Sequence, residues 1–144
     1  MAQWMVGSNA DEARHLGSRA VRTAAVMYLV LGVGFGVATV VTLAHLARAG
    51  ELPMTPFGFR SLSGPFEQLG PGPFTALGWA LVGVCVLDVV AGIWLWQGRR
   101  RGAWLGLATT PLALGLGFGF ALPFLLIGAP IRAWLVLTNR PGLR

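Results

Sequence analysis

The amino-acid sequence predicts an all-α fold: an integral membrane four-helix bundle with both termini cytoplasmic. Three observations carry that prediction. Of 144 residues, 55% are hydrophobic and 11% charged, against roughly 25% charged in a soluble domain. The apolar residues gather in runs near 23–47, 74–98 and from 103 onward, each long enough for a hydrocarbon core that needs about 20 residues per helix. The charges flank those runs. With the N-terminus inside, Arg14, Arg19, Arg22, Arg99, Arg100, Arg101, Arg140 and Arg144 are cytoplasmic while Arg48 and Arg60 are external, eight against two. That is the positive-inside bias of a multi-pass protein. The same topology sets Trp94, Trp96, Trp104 and Trp134 at the inner interface and Trp79 at the outer one, as aromatic belts fall. A net charge of +6 would point to nucleic acid in a soluble chain; here orientation in the bilayer accounts for the arginines, and no nucleic-acid partner is expected.

Residues 1–18 read as a polar tail in which DEARHLGSR could form a short interfacial helix. The first membrane helix is expected at about 22–47. Its basic flank and the Ala47-Arg48-Ala49 ending imitate a signal peptide, but about 25 apolar residues exceed the 7 to 15 of a signal core, so a retained helix is the better reading. An external loop, 48–73, follows, its proline and glycine density excluding a long helix. Within it Ser63 is placed to cap one turn opening at Gly64-Pro65 and closing before Gly70, laying Phe66 and Leu69 on the membrane surface. The second helix is expected at about 74–97, after which QGRRRG turns the chain.

The segment from 103 to 138 would be about 54 Å long as one helix at 1.5 Å per residue, too long for one span. It divides into helices at about 103–116 and 121–138, with a hairpin at GLGFGF, 115–120, where glycine is densest and Pro123 suits an early helical position. LGVGFGVA at 31–38 returns as LGLGFGFA at 114–121, yet the first copy falls within a span and the second at this hairpin. Close helix packing explains such glycine spacing without a duplication. Gly32 and Gly36 form a small-residue face on the first helix, and Gly34 points to the other side.

The polar residues inside the spans are few. Asp88 lies about ten residues from the inner arginine turn, near the bilayer midplane, where a carboxylate needs a partner, a water-filled cavity or a proton. Cys85, Ala91 and Gly92 surround it with a small-residue stripe that suits a neighbouring helix. Arg132 lies roughly 10 Å from the inner surface and leans toward the N-terminus of its inward-running helix, toward Asp88. Gly128 and Ala129 make its approach face small. The alternatives are a structural pair fixing helix register, a snorkelling arginine with Asp88 protonated, or a transport or ligand site.

His45 reads as an interfacial histidine with no second metal ligand at useful spacing, and no metal site is expected. Thr109 and Thr110 precede Pro111, and their hydroxyls suit backbone carbonyls freed by that proline. The single cysteine, Cys85, excludes an internal disulfide. There is no Ser/His/Asp constellation, P-loop or carboxylate pair, so no enzyme activity and no cofactor are expected; a membrane enzyme would need Asp88 or His45 to act with a cofactor the chain does not announce. Phe57, Phe59 and Phe66, with Phe74, offer either a docking or lid surface or aromatics resting at headgroup level.

DVVAGIWLWQGRRRGAWLGLA, residues 88–108, resembles the middle of DoxX-like small membrane proteins, four-helix chains with an acidic residue in helix 2 before a glycine-bearing apolar turn and a basic connection. Asp88, Gly92, Gly98 and the arginine turn carry the resemblance. It implies a bacterial cytoplasmic (inner) membrane accessory protein. The outer loop and Arg132 have no counterpart in that pattern. The expected function is an accessory or scaffold subunit of a membrane complex, with an oligomeric transporter or channel for a small solute, proton or amphiphile through Asp88 and Arg132 as the alternative. The partners expected are the lipid bilayer and either further copies of the chain or a larger membrane protein.

Overall fold

The computed structural model describes the backbone of residues 2–139 and the side chains of residues 18–139. Among these residues the regular elements are helical, with four α-helices: α1 (Ala2–Ala49), α2 (Pro71–Trp96), α3 (Arg100–Gly119) and α4 (Pro123–Thr138). One 3₁₀ turn, Pro65–Leu69, lies in the loop between α1 and α2. The loop also holds an isolated antiparallel bridge between Met54 and Arg60. Arg140 and Arg144, counted above as cytoplasmic, lie outside the described residues, and of Arg14 only the backbone is described.

Two of the helical segments, Ser18–Ala49 and Pro71–Trp96, are long and apolar enough to cross a membrane. α4 is apolar but has 16 residues, about 24 Å at 1.5 Å per residue, somewhat short of a hydrocarbon core of about 30 Å.

Several boundaries differ from the sequence reading. Residues 2–21 form no separate tail or interfacial helix; they continue α1 without a break. The first proline of the chain is Pro53, and polar residues alone do not stop a helix once it is propagating. α2 opens at Pro71 rather than 74, with proline in its first turn, where the missing N–H removes no helical bond. The loop turn forms at Pro65–Leu69, but its N-cap is Gly64 with no side-chain cap, not Ser63.

The largest correction concerns the second hairpin. α3 runs through Gly115 and Gly117 to Gly119, and the chain turns at Phe120–Leu122. Leu122 N–H donates to Gly117 O at 2.7 Å and Ala121 N–H to Phe118 O at 3.1 Å, the bond pair of a Schellman ending. The left-handed position is taken by Ala121 (φ 49°). Glycine density misled because these glycines admit neighbours: Gly117 meets Leu125, and a β-carbon on Gly119 would run into the Phe66 ring. The end of α2 has the same bond pair, with Gly98 (φ 72°) in the left-handed position, Gly98 N–H to Leu95 O and Arg99 N–H to Trp94 O, both 2.9 Å.

The four helices run alternately up and down, each against the next, and α4 closes back on α1. Small residues set the approach. A β-carbon on Gly32 would lie 2.8 Å from Cys85 O, and one on Gly102 2.8 Å from Ala91 O. Gly128 of α4 receives Leu31 of α1. The glycines of the two echoed segments do different work: Gly32 is closed and its counterpart Gly115 open, while Gly34 is open and its counterpart Gly117 closed. The core has two apolar clusters. One holds Val21, Ala24, Ala25, Tyr28, Ala91, Leu95, Ala103 and Val136; the other holds Leu43, Leu62, Phe74, Leu81, Phe120 and Leu125 at the loop end.

Candidate functional site

Between those two clusters each helix contributes polar atoms to one buried centre. Asp88 comes from α2, Arg132 from α4, Thr109 and Thr110 from α3, and Tyr28 from α1. Nη1 of Arg132 stands 2.6 Å from Oδ2 of Asp88, with side-chain exposures of 0% and 2%. The contact pairs a guanidinium nitrogen with a carboxylate oxygen out of reach of water, a charge-assisted contact. The other carboxylate oxygen, Oδ1, accepts from the Thr109 hydroxyl at 2.8 Å.

Position explains how these side chains meet. Asp88 sits in the small-residue stripe of α2: Gly92 admits Leu29 and Tyr28, and Cys85 lies under Gly32 and Gly36 of α1. Arg132 follows Gly128 and Ala129 on the inward face of α4, all three buried. Its guanidinium carbon lies 4.2 Å from the centre of the Tyr28 ring, and a cation held over an aromatic face away from water is stabilised by about 2 kcal/mol or more. Tyr28 in turn fits against Gly106 of α3, where any β-carbon would touch its hydroxyl.

Not every donor here is used. Nε and Nη2 of Arg132 and the Tyr28 hydroxyl meet no hydrogen-bond partner of good geometry among the described residues, although Tyr28 lies beside Thr110. The Thr110 hydroxyl donates to Gly106 O at 2.7 Å. The Thr109 hydroxyl also lies 3.1 Å from that carbonyl, but it has one proton, and the nearer, charged carboxylate is the stronger acceptor. The threonines therefore do not serve the carbonyl freed by Pro111, which is that of Leu107, four residues back. They serve Gly106 O and Asp88.

The remaining expected residues lie elsewhere. His45 is exposed on α1, about 25 Å along that helix from Tyr28 at 1.5 Å per residue. Phe57 and Phe59 project from the loop tip, 83% and 69% exposed. Phe66 is not on the outer surface of the loop: its ring meets Phe120 edge-on at 5.1 Å, and Phe74 meets the same ring at 5.4 Å. Phe66 is thus a peg closing the loop onto the α3–α4 turn. Sequence reasoning missed Tyr28, although the signal was present, because it is the chain's one tyrosine and lies inside an apolar span where its hydroxyl needs company. Comparison of the chain with family models, curated proteins and solved structures finds no match.

Proposed function

We propose that this chain is a multi-pass protein of the bacterial cytoplasmic membrane, four helices with both ends inside, acting as an accessory or scaffold subunit of a larger membrane assembly. The observation that carries the reading is the closed state of the charged centre. Asp88 and Arg132 are sealed between two apolar layers and tied to all four helices, which suits a register lock better than an open path. A buried pair is weak support for stability in general, and fixing register is its best-attested role. Around that lock the outward surface is broadly apolar, with Val30, Val37, Val41, Trp79 and Phe118 all exposed, as lipid and neighbouring membrane helices require. The short likeness of residues 88–108 to DoxX-like proteins agrees with this location and role.

A second reading has its own observation. The unmet donors of Arg132 and Tyr28 are the hydrogen-bonding capacity that an oligomeric carrier or channel for a small solute, proton or amphiphile would use. Extraction from the native membrane in mild detergent separates the two. A stoichiometric foreign subunit travelling with the chain supports the scaffold. A pure homo-oligomer that conducts solute or protons in vesicles overturns it in favour of transport.

A further inference from the structure

At the loop end of the bundle, between the last turn of α1, the 3₁₀ turn and the first turn of α2, lies a recess of about 340 Å³. That is within the range of small-molecule sites, roughly 300–1,000 Å³. Glu51, Arg60 and Glu67 give its wall both signs of charge, and Leu46, Leu52 and Phe74 give it an apolar part. Nη1 of Arg60 reaches Oε1 of Glu67 at 3.1 Å. The backbone holds both residues in place. Arg60 is bridged to Met54, and Glu67 N–H donates to Gly64 O at 2.9 Å.

That contact uses one of five guanidinium donors and one carboxylate oxygen. Further donors of Arg60 and the second oxygen of Glu67 are left over, and Glu51 has no hydrogen bond or ion pair among the described residues. The wall therefore presents cationic donors and anionic acceptors side by side. Its complement is a group with an acidic oxygen and an ammonium at matching separation. The recess also stands where the two long apolar helices end, the level at which lipid headgroups meet a spanning protein. Beside it the tip residues Met54, Phe57 and Phe59 are exposed apolar groups.

We propose that this recess binds a zwitterionic phospho-amine, its phosphate toward Arg60 and its primary ammonium toward Glu51 and Glu67. An ethanolamine-phosphate group supplies that chemistry either as a lipid headgroup or as a free solute. The lipid source rests on the membrane reading above, and the free solute does not, so failure of the site and failure of that reading give different results.

The test uses the full chain, purified in mild detergent and stripped of lipid. Native mass spectrometry with equimolar phosphatidylethanolamine and phosphatidylglycerol should show the former retained about fivefold better, the scale of one or two partly exposed charge contacts. The double variant Glu51→Gln, Glu67→Gln should bring the two lipids to parity. Glu51→Gln alone, at an exposed position that engages no other group, should remove part of the preference with helix content unchanged. Arg48→Gln, at the same end but outside the recess, should leave it intact. Saturable thermal stabilisation by free phosphoethanolamine, lost in Glu51→Gln, shows that the solute is also a ligand; lipid preference without it assigns the headgroup alone. Equal retention of the two lipids with no response to phosphoethanolamine overturns the proposal, as does a preference that Glu51→Gln leaves unchanged.

Discussion

A guanidinium and a carboxylate 2.6 Å apart and out of reach of water make each residue depend on the other more than either stabilises the fold. Removing one partner of such a pair typically costs about 3 to 5 kcal/mol, because the remaining charge is buried alone, whereas replacing both by apolar residues is often near neutral. Asp88→Asn and Arg132→Gln should therefore each lower the thermal midpoint sharply, and Asp88→Leu with Arg132→Met should recover much of the loss while keeping any bound partner. Strictly additive losses would show that the two do not act as a pair. A double variant that folds but abolishes flux in vesicles would favour transport. Thr109→Val keeps the shape and removes the donor to Oδ1; a hydrogen bond to a charged group contributes about 1.5 to 3 kcal/mol. Its thermal midpoint should fall by less than that of Asp88→Asn, and an unchanged midpoint would remove Thr109 from the centre.

At the scale of the helices, two glycines two residues apart should respond in opposite directions. A β-carbon at Gly32 would meet the Cys85 carbonyl at 2.8 Å, and backbone cannot swing aside, while Gly34 faces open space. Gly32→Ala should thus destabilise by about 1 to 3 kcal/mol through overpacking. Gly34→Ala should be neutral or stabilise by up to about 1 kcal/mol through helix propensity. Equal effects in detergent melts would refute the α1–α2 contact. The α3–α4 turn offers a second pair: Ala121 sits at φ 49°, a conformation that disfavours any β-carbon. Ala121→Gly should hold or raise the thermal midpoint, and Ala121→Val, branched at that carbon, should lower it.

For the whole molecule, the decisive quantity is which end faces the cytoplasm. The Arg22 guanidinium lies 5.8 Å from the Trp96 ring, so the start of the first span and the end of the second share one end of the bundle with the Arg99–Arg101 turn. On the membrane reading proposed above, the positive-inside bias assigns that end to the cytoplasm. Cys85, the single cysteine, is buried, which leaves a quiet background for labelling. In intact cells an impermeant thiol reagent should modify Phe57→Cys at the loop tip and spare Asn139→Cys, with both labelled after lysis. Labelling of the second and protection of the first would invert the topology.

Two helices long and apolar enough to cross a membrane, the helical content and the proline-rich loop were legible in the sequence because each follows from local quantities, apolar run length and proline spacing. The expected depths of Asp88 and Arg132 came from residues counted along a helix. Depth alone could suggest that the two charges were neighbours. Tyr28 and Thr109 joined them only in three dimensions, since their place depends on helix rotation, which the near-uniformly apolar helices leave unmarked. Glycine failed as a signal for a related reason: the same residue serves a turn at Gly98 and a close approach at Gly32 or Gly119. Packing against Phe66 and Leu125 then carried α3 past its densest glycine run, and the left-handed corner fell on Ala121. The recess at the loop end was likewise invisible in the chain, because Glu51, Arg60 and Glu67 belong to three separate pieces of a loop whose fold the bridge at Met54 and the Phe66 peg decide.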